Sequence, residues 1–350
     1  MTPAPNVGDL DQETPAKITT EVRWGFVGPG GIARGVAVDL RDHVPGGMLH
    51  AVASRSQDRA QAFADEFGAE RAYDSVDALL ADPDVDAVYL ATPHRQHHAV
   101  ALAAIEAGKP LLVEKAFTVT YDGAVEVVEA ARDRGVFVME AMWTRLQPAV
   151  VRLRELIAEG VLGEVRSVRA DLGLHRDFDP AHRLFDPAQG GGALLDLGVY
   201  PISFAQMVLG GRAQKVDVVG SRAENGVDDE ATVLMRFDTG HAVASCSLRT
   251  RLPGTAAVYG TEAWVEVPPR FHHPSSLVLH RREGDGEAEP EVLRCPATGT
   301  GYAHELLEVQ RCLAAGLTES PAMPLADTLA VMEILDRSLG ALGVTYDEAT

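Results

Sequence analysis

One stretch decides the fold: residues 23–33, with the sequence RWGFVGPGGIA. Its first half has the apolar character of a buried strand, and its second half is typical of a glycine turn that enters a helix. In the pattern Gly28-x-Gly30-x-x-Ala33, the first glycine allows a tight turn and the second lets the backbone approach a phosphate. The small third residue lets the helix pack on the strand. We therefore expect the segment to hold a dinucleotide pyrophosphate at the helix start, through Gly28, Pro29, Gly30, Gly31, Ile32 and Ala33.

Glycines mark any tight turn, so the rest of the chain must decide between a dinucleotide site and a plain turn. The 350 residues are 46% apolar and 23% charged, typical of a soluble globular protein with room for two domains. The first twenty residues lack the basic start and apolar centre of a secretory signal, so none is expected. Residues 1–21 are predicted to be a flexible extension. No apolar run approaches the roughly 20 residues of a membrane helix, so no membrane association is expected.

Charge and cysteine content exclude further classes of function. A formal charge of −20 repels nucleic acid and anionic membranes, so neither is expected as a partner. The three cysteines, Cys246, Cys295 and Cys312, have no C-x-x-C spacing. Disulfides and structural zinc are therefore not expected, and the composition fits a protein of the reducing cytoplasm.

Short apolar runs alternate with amphipathic stretches from residue 22 to residue 142, which is the pattern of βαβ units in a doubly wound parallel sheet. Strands are predicted at 24–27, 48–53, 85–91, 110–113 and 136–140, with helices at 57–67, 98–107 and 121–134. Residues 143–345 then predict a second α/β domain. It has a helix through residue 158, a strand at 165–172, and a helix after Gly190-Gly191-Gly192. An antiparallel meander follows between residues 215 and 280, and helices at 303–315 and 325–342 close the domain. We expect the last helix to pack back on the first domain.

The segment ASRS, residues 53–56, follows the second predicted strand, where an NAD enzyme usually has an acid for the ribose 2′-hydroxyl. No acid is present. Arg55 suits a 2′-phosphate, since a guanidinium pairs with its oxygens in bidentate fashion, and Ser54 and Ser56 add donors. The segment predicts NADP, with NAD as the alternative. In the competing interpretation Ser56 only caps the next helix and Arg55 is solvated.

Histidines cluster in TPHRQHH, residues 92–98, at the carboxyl end of the third predicted strand, where open α/β sheets bind ligands. His94, His97 and His98 suggest a metal site, but the run has no Cys, Asp or Glu, and the adjacent His97 and His98 point in different directions. We favour a loop close to the cofactor. Thr92, Pro93, His94 and His97 are then expected to line the cofactor site, with no metal.

Glu114-Lys115 ends another strand at the same edge, where a lysine tuned by a carboxylate could exchange a hydroxyl proton during hydride transfer. The alternative is a surface ion pair. After the triple glycine, Asp196 and Tyr200 lie four residues apart and share one face of a helix. They could present a carboxylate and a phenol to a substrate hydroxyl beside Lys115, or form a satisfied pair at the seam between the domains.

Taken in order, these segments resemble the glucose-fructose oxidoreductase / inositol dehydrogenase / rhizopine catabolism (Gfo/Idh/MocA) family. The stretches EAMWTR at 140–145, RLFDP at 183–187 and Asp196-x-Gly198-x-Tyr200 are most similar to its trans-dihydrodiol and D-xylose dehydrogenase branch. The resemblance runs from about residue 23 to about residue 342. It implies an N-terminal Rossmann domain and a C-terminal α/β domain with a large, mostly antiparallel open sheet. That sheet commonly supports dimerisation in relatives, so a homo-oligomer, dimer or tetramer, is expected.

The resemblance also implies roles for individual residues. Lys115, from the family's Glu-Lys-Pro motif, is expected beside the nicotinamide as the proton-transfer group, although Ala116 replaces the proline. Many relatives have histidine where this chain has Tyr200, which leaves open which residue is the proton donor. The resemblance implies that Tyr200 could share or replace the role of Lys115, and that Asp196 would orient the substrate or the lysine. Glu114, Trp143 and Arg145 are expected at the cofactor and substrate pocket, with core packing as the alternative for Trp143.

The sequence therefore predicts an NADP-dependent oxidoreductase that moves hydride between nicotinamide C4 and a carbinol carbon of a sugar, polyol or cyclic trans-diol. Lys115, Tyr200 and Asp196 are its expected catalytic residues. A non-catalytic cofactor-binding sensor of the same fold is the alternative, although a sensor would not require all three. A methyltransferase built on a glycine-rich turn is disfavoured, because Glu114-Lys115 and the triple glycine would lack a role.

Overall fold

The computed structural model describes residues 21–284 and 286–349, so all of the predicted extension except Glu21 lies outside the described residues. The first part of the chain forms a parallel sheet with the strand order β3-β2-β1-β4-β5-β6. The strands are β1 (Val22–Val27), β2 (Gly47–Ala53), β3 (Arg71–Tyr73), β4 (Ala87–Leu90), β5 (Leu111–Glu114) and β6 (Val138–Ala141). The order reverses between β1 and β4, and ligands of doubly wound sheets bind at the carboxyl ends of the strands at such a point.

Five helices connect these strands: α1 (Gly31–His43), α2 (Gln57–Phe67), α3 (Val76–Leu80), α4 (His97–Glu106) and α5 (Tyr121–Arg134). Both α2 and α5 begin and end at the predicted residues. Ser56 caps α2 through its side chain, and Gly68 ends it in the left-handed conformation that favours glycine. The sequence missed β3 and α3, because three and five residues are too few to show a period.

The rest of the chain builds a larger mixed sheet, of nine strands among residues 143–284 and 286–349. Its strands are β7 (Val165–Gly173), β8 (Lys215–Arg222), β9 (Asp228–Arg236), β10 (His241–Ser247), β11 (Ala256–Gly260), β12 (Ala263–Val267), β13 (Ser276–Glu283), β14 (Gly286–Glu287) and β15 (Glu291–Arg294). The order is β14-β13-β12-β11-β7-β10-β9-β8, with β15 paired to β13. The sheet is mostly antiparallel and open, as expected.

The predicted meander is wrong at the centre of this sheet. The strand β7 lies between β11 and β10, and it pairs with β10 in parallel. Turn residues specify each hairpin locally, but the insertion of a strand from far upstream depends on contacts that no local pattern records.

Four helices complete the second part: α6 (Pro148–Ala158), α7 (Val199–Leu209), α8 (Ala303–Ala314) and α9 (Leu325–Ala341). A π-helical turn, Leu194–Gly198, leads into α7. The segment Pro187–Leu209 is long and apolar enough to cross a bilayer. However, 89% of its most apolar 18-residue stretch is buried inside the protein, which is typical of a core helix. The helix α9 contacts α5 and β6 of the first part of the chain and α7 of the second, so it packs against both.

Candidate active site

The glycine turn leaves the start of α1 open. Gly28 has a φ of +90°, and a Cβ added there would lie 2.7 Å from the carbonyl oxygen of Ala91. Gly30 precedes α1 without any side-chain cap, and a Cβ added to Gly31 would meet nothing within 4 Å. Ala33 is fully buried against the sheet. Unpaired N–H groups and the positive end of the helix dipole therefore face open space, which suits a phosphate.

Two adjoining cavities form one cleft along the carboxyl edge of the parallel sheet. The first, of about 260 Å³, is lined by residues of the glycine turn and the end of β2: Gly28, Pro29, Gly30, Ser54, Arg55 and Arg59. The second, of about 420 Å³, is lined by residues of both domains: Gly31, Ile32, His94, Glu114, Lys115, Arg183, Asp196 and Tyr200. Gly30, Thr92, Pro93 and Gln189 line both. The Oγ1 atom of Thr92 is buried there with no hydrogen-bond partner among the described residues. The length of the cleft and the open start of α1 fit an elongated polar ligand such as a dinucleotide.

Two arginines stand at the far end of the first cavity. Arg55 is exposed and precedes the cap residue of α2, Arg59 lies in the first turn of α2, and both residues line the cleft. Ser56 does not line it. Its Oγ accepts the N–H of Arg59 at 3.4 Å, and Ser54 Oγ accepts the N–H of Ser56 at 3.3 Å. The sequence prediction omitted Arg59, because only the fold shows that the start of α2 lies beside this cavity.

Lys115 lies at the end of β5 with its ammonium in the second cavity. Its Nζ donates to the backbone oxygen of Asp196 at 2.8 Å, lies 3.7 Å from Asp196 Oδ1, and is 4.8 Å from the centre of the Tyr200 ring. Burial lowers the pKa of Lys115, but Tyr200, Asp196 and Glu114 together raise it by more. The net pKa is therefore above its ordinary 10.5, and the lysine is charged at neutral pH.

Asp196 belongs to the π-helical turn before α7, which directs both its backbone oxygen and its carboxylate toward Lys115. Arg183 donates to Asp196 Oδ1 at 2.9 Å. Burial raises the pKa of Asp196, but Lys115 and Arg183 lower it by more, so the carboxyl stays ionised. The sequence prediction did not assign Arg183 to the site. Its only signal in the sequence is its place in the family stretch RLFDP.

Tyr200 lies in the first turn of α7 and faces the same cavity. Its hydroxyl accepts a hydrogen bond from Trp143 Nε1 at 3.2 Å. Burial raises the pKa of Tyr200 above 10.0 by more than Lys115 lowers it, so the phenol is neutral. Trp143 itself stacks on Tyr302, with ring centres 4.4 Å apart, and does not line the cleft. It supports Tyr200 from behind.

Arg145, expected at the pocket wall, lies elsewhere. Its side chain is buried, pairs with Asp327 at 2.6 Å, and donates to Ser203 Oγ at 3.2 Å. The stretch Trp143–Leu146 forms a 3₁₀ turn that directs the guanidinium between α7 and α9. Sequence reasoning placed this residue wrongly because a charged side chain beside a buried tryptophan gave no sign of its partner on a distant helix.

The three neighbouring histidines do not converge. His94 lines the cleft, with Nδ1 2.9 Å from the oxygen of Gly190 and Nε2 3.1 Å from that of Lys115. Burial lowers the pKa of His94 to about 4, so its ring is neutral. His97 is buried behind the loop between the oxygens of Ala116 and Thr92, and His98 pairs with Glu126 at 2.7 Å. His94 and His97 thus hold backbone segments in place around Lys115, whereas His98 contacts a side chain on α5.

Glu114 is buried beneath the cleft. Its Oε1 accepts the hydroxyl of Tyr89 at 2.6 Å, and its Oε2 accepts the backbone N–H of Lys115 at 3.2 Å. Burial raises the pKa of Glu114 above its ordinary value. The structure thus brings Glu114, Lys115, Asp196 and Tyr200 together around one cavity.

Comparison with known proteins gives the same result for both parts of the chain. The oxidoreductase family with an NAD-binding Rossmann fold, GFO/IDH/MocA, matches residues 22–142, and the GFO/IDH/MocA C-terminal domain matches residues 150–266. Trans-1,2-dihydrobenzene-1,2-diol dehydrogenase from Bos taurus is 38% identical over 336 residues, which cover 93% of this chain and 98% of that protein. Its counterpart from Oryctolagus cuniculus is 40% identical over 302 residues, covering 85% and 91%.

Among solved structures, the 3-ketoreductase KijD10 from Actinomadura kijaniata, in complex with NADP and TDP-benzene, has a TM-score of 0.79 and 27% identity, covering 92% of this chain and 98% of that chain. Variants of KijD10 altered at one lysine or at one tyrosine are similar as well. The aldose-aldose oxidoreductase from Caulobacter crescentus shares the fold, with a TM-score of 0.82 at 22% identity and coverage of 92% and 98%. This chain therefore belongs to the GFO/IDH/MocA family, as an NAD(P)-dependent dehydrogenase or reductase.

Proposed function

We propose that this chain is an NADP-dependent oxidoreductase that interconverts a carbonyl and a carbinol carbon of a sugar, polyol or cyclic trans-diol, with Lys115 as the proton-transfer group. One observation carries the proposal: a buried, charged lysine faces the cavity beside an ionised carboxylate and a neutral phenol. When bound, the nicotinamide supplies or accepts the hydride, which is chemistry that no side chain provides. The protein must move the accompanying proton.

Lys115 is arranged to give that proton in the direction of reduction. Its ammonium is fixed by the backbone oxygen and the carboxylate of Asp196, and its raised pKa keeps it protonated at neutral pH. It donates a proton to the carbonyl oxygen as the carbon receives hydride, and its charge offsets the negative charge developing on that oxygen. In the reverse direction the neutral amine accepts the proton of the carbinol.

Tyr200 supplies a second polar group. Because its oxygen accepts a hydrogen bond from Trp143, the phenolic hydrogen remains available to a substrate oxygen in the cavity. Since the pKa values of Lys115 and Tyr200 are both raised, both groups hold protons at neutral pH. We therefore expect carbonyl reduction to be active at neutral pH and carbinol oxidation to be favoured by alkaline conditions.

Preference for NADP is supported by the charges at the far end of the cleft. Arg55 and Arg59 line the cavity beyond the glycine turn, and no carboxylate is among its described lining residues. Guanidinium groups pair well with phosphate, whereas the ribose 2′-hydroxyl of NAD is usually bound by an acid. KijD10 also binds NADP.

The test is replacement of the lysine in a cofactor-loaded enzyme. NADPH oxidation is measured with a panel of carbonyl compounds derived from aldoses, inositols and cyclic diols. General acid catalysis contributes about 10²–10⁴ in rate, so Lys115→Met is expected to lose turnover by this order. NADPH affinity, measured by fluorescence titration, should stay within about threefold, because the cofactor keeps its phosphate contacts.

Lys215→Met is the matched control, because Lys215 is exposed on β8, outside the residues that line the cleft, and pairs with a neighbouring carboxylate, Asp217, at 2.6 Å. It should turn over at the wild-type rate. Equal turnover by Lys115→Met and the wild type would refute the proposed role. Tight NADPH binding with no turnover of any compound would refute the proposed activity and favour a sensor.

A further inference from the structure

A second concavity lies beside the active-site cleft, on the side of the large sheet. This groove, of about 690 Å³, is lined by residues from the end of β7 and from the segments after β10 and β12. They include Leu172, Arg251, Leu252, Pro253, Arg270 and His272. Such a volume is that of a small-molecule site. The proposed reaction makes no use of it.

The groove is positively charged in a strongly acidic protein. The chain has 51 Asp and Glu residues against 31 Lys and Arg, yet the lining contains two arginines and, among the described residues, no carboxylate. Arg251 and Arg270 are both exposed, and neither forms an ion pair with a described carboxylate. Arg270 Nη2 lies 3.3 Å from Nδ1 of His273, which leaves its other N–H groups available.

Arg270 is also held in an unfavourable backbone conformation. Its φ of +69° places it in the left-handed region, and it is the only residue other than glycine there in the described part of the chain. This conformation is unfavourable for an ordinary side chain, whereas asparagine and glycine tolerate it. A costly arginine at the lip of a groove points to a role for its charge.

One side chain, His272, lies between the groove and the proposed reaction site. His272 lines the groove, and its ring centre lies 5.3 Å from that of Tyr200, which faces the cavity holding Lys115. Burial, followed by the charges of Arg270 and His273, lowers the pKa of His272 to about 4. Its ring is therefore neutral, so the positive charge of the groove comes from Arg251 and Arg270.

We infer that the groove binds an anionic group of the substrate, a carboxylate or a phosphate, between Arg251 and Arg270 while the substrate's carbonyl or carbinol carbon reacts near Lys115. This deepens the proposed function and rests on it. A guanidinium binds either anion through charge-assisted, often bidentate hydrogen bonds. The preferred substrates are then sugar or diol derivatives with an acidic substituent remote from the reacting carbon.

The test compares substrate pairs that differ by one anionic group, with NADP and NADPH present. The carboxylate arm pairs D-glucose with D-glucuronate, and trans-cyclohexane-1,2-diol with its 4-carboxylate. The phosphate arm pairs D-glucose with D-glucose 6-phosphate. A charge-assisted hydrogen bond is worth about a factor of 10 or more in binding, so kcat/KM should be at least about tenfold higher for the anionic member of a pair. The arm with the larger ratio identifies the anion.

Two variants remove the charges. Arg251→Ala and Arg270→Asn should each raise KM about tenfold for the anionic substrate and leave the neutral substrate within about twofold. Asparagine tolerates the left-handed conformation, so Arg270→Asn should unfold at the same temperature as the wild type or higher. Arg132→Ala, at an exposed position on α5, is the control and should behave as the wild type.

The outcomes separate this inference from the function on which it rests. Turnover of neutral substrates, with no preference for anionic ones and no response to either arginine variant, overturns the groove assignment alone. Absence of turnover with every compound overturns both. A change in oligomeric mass in Arg251→Ala or Arg270→Asn, with an unchanged KM, would assign the arginines to a subunit contact and overturn the inference.

Discussion

Replacing Asp196 by asparagine gives a sharp test of the electrostatics around Lys115. The substitution keeps the size of the side chain and the backbone oxygen that accepts from Lys115 at 2.8 Å. It removes the negative charge 3.7 Å from the ammonium, while the positive charge of Arg183, which also lowers the pKa of Lys115, remains nearby. We expect the pKa of Lys115 to fall.

The size of the fall follows from the distance. At an effective dielectric constant of about 20, unit charges 3.7 Å apart interact by about 4.5 kcal/mol. Since one pKa unit corresponds to about 1.4 kcal/mol, about three units is the upper limit of the change. The side chains of Lys115 and Asp196 are 13% and 9% exposed, so water screens part of this interaction. A fall of about one to two units is expected.

The assay is the pH profile of kcat/KM for carbonyl reduction with NADPH. In the wild type the protonated lysine should persist to above pH 10.5, where activity falls as it loses its proton. In Asp196→Asn this alkaline limb should move about one to two pH units toward acid. Oxidation, which needs the neutral amine, should gain activity over the same interval.

Asp42→Asn is the control, because Asp42 forms an exposed ion pair with Arg41 on the outer face of α1. Its profile should match that of the wild type. An alkaline limb that stays in place in a folded, NADPH-binding Asp196→Asn protein would show that Lys115 is not the titrating group. Movement toward higher pH would show that the sign of the argument is wrong.

Two further predictions concern the cofactor and the core. Arg55→Ala combined with Arg59→Ala should raise the KM for NADP by about 10- to 100-fold and change the KM for NAD little, because only NADP carries the 2′-phosphate that these side chains would bind. An equal loss for both cofactors would contradict this. Burial raises the pKa of Glu140 in the folded protein from 4.5 to about 7. The folded state is therefore favoured most below pH 4.5, and this contribution to stability is lost as the pH rises through about 7. Above pH 7 this costs about 3 kcal/mol of folding free energy, and Glu140→Gln should be more stable than the wild type by up to that amount at pH 8 but not at pH 4.5 in urea unfolding. Equal stability at pH 8 would refute it.

Segments whose ends are set by their own side chains were predictable from the sequence. Ser56 and Gly68 bound α2, and Gly135 ends α5 in the left-handed conformation, so local chemistry determines where these helices begin and end. The same holds for Gly28, which cannot carry a side chain because of the carbonyl of Ala91. The resemblance to a known family added the expectation that the second domain has a large, mostly antiparallel open sheet.

What the sequence could not predict depends on contacts between distant residues. The strand β7 lies between two groups of antiparallel strands, β8 to β10 and β11 to β13, and its parallel pairing with β10 leaves no local pattern. Arg145 has its partner on α9, 182 residues away. Arg59 and Arg183 became visible as cleft residues only when the fold placed their helix and loop beside β2 and α7.

The π-helical turn explains why the arrangement of the site differs from a simple helix face. Four-residue spacing predicts that Asp196 and Tyr200 present their side chains side by side. The turn Leu194–Gly198 instead lets Asp196 offer a backbone oxygen as well as a carboxylate to Lys115, while Tyr200 places its ring 4.8 Å from the same nitrogen. A π-helical turn frees a carbonyl from regular pairing, which is why such turns recur at functional sites. The lysine is therefore held by a group that no side-chain substitution at residue 196 can remove, so Asp196→Asn changes the charge beside Lys115 while its principal hydrogen bond remains.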